Sequence, residues 1–159
     1  MTQFLDTDAA FALNLARLSD QLYDQMQLAM AGDGVTIPAR LTGIVQLLHS
    51  EGAQSQADIA QRLGLSHQLV AQRLTWLTRH KMIETRPDPD DGRRKLITLT
   101  GAGGKQADGL QAFLPKLLKT YERLFAELGL DLHGAVQGAG AALDAEPLQD
   151  RIAKEGQER

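Results

Sequence analysis

The side chains that could do covalent or metal chemistry in this sequence fail on spacing. Gly101-Ala102-Gly103-Gly104-Lys105 lies between a strand-like and a helix-like run, where a phosphate loop would stand. That loop needs Gly at 99 and Ser or Thr at 106; the chain has Leu99 and Gln106. A dinucleotide fingerprint would need Gly at 106 and fails too. The histidines His49, His67, His80 and His133 are far apart and form no H-x-x-x-H ligand pair. No motif suggests a Ser/His/Asp set. Cysteine is absent, which excludes disulfides, thiolate metal sites, a Cys nucleophile and a thiol redox sensor. These residues predict no enzyme, no metal and no cofactor.

A different chemistry is better supplied. Residues 62–105 hold nine Lys or Arg and four acids, a local charge of +5, whereas the remainder holds eight basic and sixteen acidic residues, or −8. A basic middle in an acidic body is the footprint expected where one face meets phosphate. Within it, Gln68 and Gln72 stand four residues apart, and a glutamine amide can form paired hydrogen bonds to adenine. Ala71 between them allows close approach. A Ser66 hydroxyl at a helix N-terminus suits a phosphate. Further on, Arg93 and Arg94 follow an Asp91-Gly92 turn signal, so a protruding tip would carry two guanidinium groups into a narrow minor groove. Asp88, Asp90 and Asp91 would repel phosphate there, and are expected to turn back and pair with nearby arginine.

These residues need elements to hold them. Phe11, Leu15, Leu18, Leu22 and Met26 recur at helical spacing and predict a helix over 8–30, broken at Ala31-Gly32-Asp33-Gly34. Thr36 is a candidate cap for a second helix whose buried face is Leu41, Ile44, Leu47 and Leu48. Ser55 with Asp58 reads as a capping box, and Gly64 as a left-handed stop. Ser66 caps the next helix, to about His80, with Val70, Leu74 and Leu77 inward and His67, Gln68, Ala71, Gln72 and Thr75 outward. Two helices across a tight glycine turn make a helix-turn-helix. Ile83–Thr85 and Leu96–Thr100 are strand-like, and the turn between them makes a hairpin. Ala102–Leu128 reads as a helix that Pro115 should kink or split. Asp131 caps a last helix to about Ala145, and Lys154–Arg159 is a polar, fraying tail.

Ser55 to Leu77, followed by Asp88-Pro89-Asp90-Asp91-Gly92-Arg93-Arg94-Lys95-Leu96-Ile97-Thr98-Leu99-Thr100, resembles the MarR family of bacterial transcriptional regulators, whose wing carries Asp-Pro-x-Asp-x-Arg-Arg followed by Leu-Thr. The resemblance covers nearly the whole chain. It implies a mainly α fold with a small β-hairpin wing: a single MarR-like domain over 1–159, with a winged helix-turn-helix lobe at 36–100 and terminal dimerisation helices at 1–31 and 101–155. It implies a homodimer on palindromic double-stranded DNA, with Ser66, His67, Gln68, Ala71, Gln72 and Thr75 on the recognition face and Arg93 and Arg94 at the wing tip. It also implies a small aromatic or amphipathic effector, for which Tyr23, Met26, His49, Trp76 and Phe113 are candidate liners, and hence a repressor relieved by ligand. Two departures stand out. Lys81 occupies a place where the family usually has Gly, costing about 1 kcal/mol if the backbone is left-handed. Gly101–Gly104 replaces better helix formers and predicts a loose joint between wing and dimer helix.

The remaining evidence is consistent with this. Leu15, Leu18, Leu22, Leu117, Tyr121, Leu124 and Phe125 form more apolar surface than one chain covers easily, and such surface marks an interface. Gly134, Gly138 and Gly140 fit a close helix crossing, and a two-fold dimer is the simplest closed arrangement. The 159 residues suffice for a real core. No run approaches the ~18 apolar residues of a membrane span, and Met1 is not followed by a secretory signal, so a cytoplasmic protein is expected. The alternative is a winged-helix protein–protein or ligand-binding module without DNA affinity, for which the −8 remainder argues.

Overall fold

The computed structural model describes residues 7–155. Residues 1–6 of the expected N-terminal dimerisation segment, and residues 156–159 of the expected tail, lie outside the described residues. The elements in chain order are α1 (Phe11–Gly32), α2 (Thr42–Glu51), α3 (Gln56–Leu63), α4 (His67–Arg79), β1 (Ile83–Pro87), β2 (Lys95–Leu99), α5 (Gly101–Leu128), α6 (Leu132–Ala145) and α7 (Leu148–Glu155), with 3-10 turns at Asp8–Ala10 and Ala39–Leu41. The fold class expected from the sequence, mainly helical with one hairpin, is the one observed.

The chain divides into two compact units, Met1–Leu114 and Pro115–Arg159. The first holds the winged helix-turn-helix together with α1. Its core is built from the apolar stripes the sequence displays: Ile44, Val45, Leu47 and Leu48 of α2, Ile59 of α3, Val70, Leu74 and Leu77 of α4, Ile83 and Ile97 of the hairpin, and Leu110 and Phe113 of α5, all buried. Each such side chain contributes roughly 1.5–3 kcal/mol when fully removed from water.

The hairpin is antiparallel with Ile83 opposite Leu99, Thr85 opposite Ile97 and Pro87 opposite Lys95. Residues alternate faces along a strand, so Ile83, Thr85, Lys95 and Ile97 share one side and Glu84, Arg86, Leu96 and Thr98 the other. Gln54, just before α3, adds a bridge to Ile97 through two backbone hydrogen bonds of 3.1 and 2.8 Å. This third, single-residue rung ties the hairpin to the helix-turn-helix, and no sequence pattern marks it.

Three expectations change. Thr36 does not cap α2, which is entered through the 3-10 turn at Ala39–Leu41. Its amide and hydroxyl instead donate to Gln106 Oε1 of α5, at 2.6 and 3.1 Å. Of the two outcomes expected at Pro115, a split of α5 does not occur, since the helix runs through it, although the boundary between the two compact units falls there. An additional helix, α7, follows Pro147, and Arg151 reaches back from it to the carbonyls of Ala142 and Glu146 at the end of α6.

In the second unit, Asp131 caps α6 as expected by accepting from the Gly134 amide at 2.9 Å. A Cβ at Gly134 would lie 2.3 Å from the Asp131 carboxylate, so this glycine serves the cap. Neither α6 nor α7 buries a residue, and Leu118, Val136, Leu148 and Ile152 are at least half exposed.

Candidate nucleic-acid interface

The placement of α4 follows from local signals at both ends. At its approach, the Ser55 hydroxyl accepts from the Asp58 amide while the Asp58 carboxylate accepts from the Ser55 amide, the reciprocal capping box read from the sequence. Gly64 closes α3 in the left-handed region at φ 62°. The Ser66 hydroxyl oxygen then accepts from the Leu69 amide at 3.2 Å, leaving its proton free to donate to an incoming acceptor. Gln56 of α3 donates to the His67 carbonyl at 3.3 Å and braces the first turn of α4.

The buried face of α4 is Val70, Leu74 and Leu77, as expected. Ser66, His67, Gln68, Gln72 and Thr75 are exposed, and Ala71 is half-buried. The residues assigned to the recognition face therefore do share one outward side. Thr75 differs in what it can offer: its hydroxyl donates to the Ala71 carbonyl at 2.8 Å, so toward a ligand it acts only as an acceptor. The row Gln68, Gln72, Thr75 continues one helical step further to Arg79, also exposed. That fourth member was legible from spacing alone and was missed.

The far end of α4 is held by an unusual joint. Lys81 is left-handed at φ 58°, and is the one described non-glycine residue with positive φ. The departure noted in the sequence thus carries its strain in the structure. Thr100, between β2 and α5, compensates for it. Its hydroxyl donates to the Lys81 carbonyl at 2.7 Å and its amide to the Met82 carbonyl at 3.0 Å, while its hydroxyl oxygen accepts from the Gly103 amide at 3.1 Å. Gly103 packs so closely that a Cβ would lie 1.9 Å from the Met82 carbonyl oxygen. The glycine run is not a loose joint. At Gly103 it is a backbone-on-backbone contact that a side chain would prevent.

The wing meets the expectation for its charges in part. Asp88 turns back to pair with Arg94 at 4.0 Å and also accepts from the Asp90 amide at 2.9 Å, whereas Asp91 accepts from the Arg93 amide at 3.0 Å and so holds the turn. Arg94 is not presented at the tip. Its guanidinium folds onto α3, bonding the Ser55 hydroxyl at 3.2 Å and ion-pairing with Asp58, with Asp88 at 4.0 Å. The Asp58 carboxyl is held below its ordinary pKa, chiefly by the Ser55 hydrogen bonds and further by the Arg94 charge. Arg93 remains exposed on the turn. The pair of arginines therefore divides into one outward residue and one anchor.

The candidate ligand residues have the following surroundings. Phe113 is core, 4% exposed. Tyr23 lies under the Arg40 guanidinium, 4.6 Å from the ring centroid, and Arg40 pairs with Asp20 at 2.5 Å. Trp76 stacks on His80 with centroids 3.7 Å apart, and His80 Nδ1 lies 2.8 Å from the Trp76 carbonyl. Met26 is half-buried on α1, and His49 is exposed near the end of α2. None of the five lines the two concavities described next. One concavity is polar, on α3 beside Gln54 and Asp58. The other lies between α4 and the hairpin.

Among the described residues no group of three His, Asp or Glu is placed to hold a metal ion, and no helix is long and apolar enough to cross a membrane.

Residues 40–94, from the turn before α2 to Arg94, match the profile of the MarR family. Solved structures share the fold over most of their length. The PcaV transcriptional regulator from Streptomyces coelicolor, solved with its natural ligand, is 20% identical, with a TM-score of 0.64 over 91% of this chain and 95% of that one. A MarR family transcription regulator is 21% identical, with a TM-score of 0.64 over 98% of each chain. The heme sensor protein PefR from Streptococcus agalactiae, in complex with heme, is 23% identical, with a TM-score of 0.57 over 87% of this chain and 95% of that one. No curated protein sequence matches the chain.

Proposed function

We propose that this chain, whose residues 40–94 match the MarR family profile, is a MarR-like winged-helix regulator: a homodimeric, sequence-specific DNA-binding protein that represses transcription until a small ligand releases it. The observation that carries this is the outward row Gln68, Gln72, Thr75 and Arg79 on a helix fixed at both ends, beside a wing turn that exposes Arg93. A helix in the major groove reads base edges with such a face. Gln68 and Gln72 supply paired donors and acceptors, Ala71 gives clearance, and Ser66 and His67 approach the backbone at the helix start. Arg93 enters the adjacent minor groove, and Arg94 sets the angle of the wing by gripping Asp58.

The dimer rests on unpartnered apolar surface. Phe11, Leu15 and Leu18 are exposed at helical spacing on α1, and Leu118, Leu128, Leu143, Leu148 and Ile152 are exposed on α5–α7. A second copy covering both would give two reading helices on one duplex, and hence a palindromic site. The effector would be a small aromatic or amphipathic molecule. PcaV with its natural ligand and PefR with heme support a ligand-responsive reading for this fold.

Selection of bound duplexes from a random pool, followed by gel shift, tests the proposal. A two-fold symmetric site is expected. Gln72→Ala should change preference at particular positions, and Arg93→Ala should weaken binding to all sequences. Binding no tighter than that of an acidic control protein would instead favour a winged-helix protein–protein module.

A further inference from the structure

In an Asp-Gly pair the side-chain carboxyl and the following amide nitrogen can join with little hindrance, because glycine puts no Cβ beside that nitrogen. The chain contains three such pairs, Asp33-Gly34, Asp91-Gly92 and Asp108-Gly109. The fold treats them differently. Gly34 donates its amide to the Ala31 carbonyl at 3.1 Å and is left-handed at φ 79°, between the end of α1 and the buried Val35. Asp108-Gly109 lies inside α5, where the amide belongs to the helical ladder, and a Cβ on Gly109 would lie 3.2 Å from Val35 Cγ2. Asp91-Gly92 lies in the wing turn between β1 and β2, with both residues exposed. Among the described residues the Gly92 amide has no hydrogen-bond acceptor. The Asp91 carboxylate accepts from the Arg93 amide at 3.0 Å, so it is folded back along its own following peptide, and the Gly92 nitrogen lies inside the ring that this bond closes. The turn does not need its glycine: the Gly92 φ is outside the left-handed region, and nothing lies within 4 Å of an added Cβ.

We infer that Asp91 is a site of spontaneous covalent rearrangement, in which the Gly92 nitrogen closes on the Asp91 side-chain carboxyl carbon and the resulting succinimide reopens as an isoaspartyl linkage. In the first step a bond forms between that nitrogen and the carboxyl carbon, and the amide proton and the carboxyl hydroxyl leave as one water. In the second step water adds back to the ring. Opening the new bond restores aspartate. Opening the bond from the Gly92 nitrogen to the Asp91 main-chain carbonyl carbon leaves the chain running through the side-chain methylene. The mass returns to its starting value, and nothing is oxidised or reduced. In the product, the main-chain carbonyl that accepts from the Arg94 amide at 2.8 Å has become a free carboxylate beside a backbone longer by one methylene. The spacing that closes the turn through the Arg93 and Arg94 amides is lost, and with it the placement of both arginines. The reaction needs only the turn geometry and water, so it stands apart from the DNA-binding reading.

The test ages the folded full chain in neutral buffer at one temperature over several weeks. Isoaspartate is located by peptide mapping with electron-transfer fragmentation, and quantified by methyl transfer from S-adenosylmethionine with an isoaspartyl methyltransferase. It should accumulate at Asp91 and stay at the level of the fresh sample at Asp33 and Asp108. In urea, where the fold no longer selects among the three pairs, it should accumulate at all of them. Gly92→Ala, checked for folding by circular dichroism, should lose most of the signal at Asp91. Asp91→Glu, which keeps the carboxylate but would have to close a larger ring, should lose it as well and serves if the alanine variant folds poorly. A folded protein without isoaspartate at Asp91, while its urea-treated counterpart shows it, would overturn the inference. So would equal accumulation at Asp33 or Asp108 in the folded protein, or undiminished accumulation in folded Gly92→Ala.

Discussion

Substituting Gly103 by alanine should destabilise the protein even though it places a better helix former inside α5. Helix propensity alone favours the change by about 1 kcal/mol. The structure opposes it, because the new Cβ would sit 1.9 Å from the Met82 carbonyl oxygen and 2.9 Å from its carbon, both backbone atoms. Neither side can yield cheaply. The Met82 carbonyl is fixed by the Thr100 amide, and the first turn of α5 by the Thr100 hydroxyl, which also holds the Lys81 carbonyl. Relief by separation would lose two hydrogen bonds, roughly 1 kcal/mol each, beside an overpacking cost of about 1–3 kcal/mol. The net is a loss of roughly 2–4 kcal/mol, and at about 2–4 °C per kcal/mol for a chain of this size the melting temperature should fall by roughly 4–16 °C. Gly104→Ala is the matched control: nothing lies within 4 Å of its Cβ, so it should gain up to about 1 kcal/mol. Melting followed by circular dichroism, at one fixed protein concentration because association shifts the midpoint, distinguishes the two. A Gly103→Ala protein that melts at or above the parent would refute the close contact and the argument built on it.

Three further outcomes are expected. Lys81→Gly should raise stability by about 1 kcal/mol in urea denaturation, by relieving the left-handed backbone at φ 58°. Asp58, with its folded pKa lowered, contributes stability that is fully present above the ordinary carboxylate value and is lost as pH falls through the lowered one; Asp58→Asn should therefore weaken the protein at neutral pH and flatten its acid titration below about pH 4. Combining Leu15→Asp with Leu18→Asp should shift the sedimentation of the protein toward the single chain without unfolding the winged helix, since both side chains are exposed in one copy.

What the sequence disclosed was mostly local. The Ser55–Asp58 box, the Ser66 cap, the Gly64 stop and the Asp131 cap each satisfy a backbone donor or bend within three or four residues, so spacing alone reveals them. What it hid was non-local. Thr36 looks like a cap until Gln106, seventy positions away, takes its amide and hydroxyl. Arg94 looks like a second tip arginine until Asp58, thirty-six positions away, claims it. The glycine run at 101–104 looks like slack because the Met82 carbonyl it accommodates lies in another part of the chain.

The stacked pair at the end of α4 has a practical consequence. Trp76 is the sole tryptophan of the chain, and it rests against His80 on the very helix assigned to base reading. Its ultraviolet emission therefore reports from that helix alone, uncontaminated by any other indole. Engagement of a duplex, release by an effector and distortion through the Thr100 joint can each be followed as a change in brightness or wavelength of one intrinsic fluorophore, in the unlabelled parent protein.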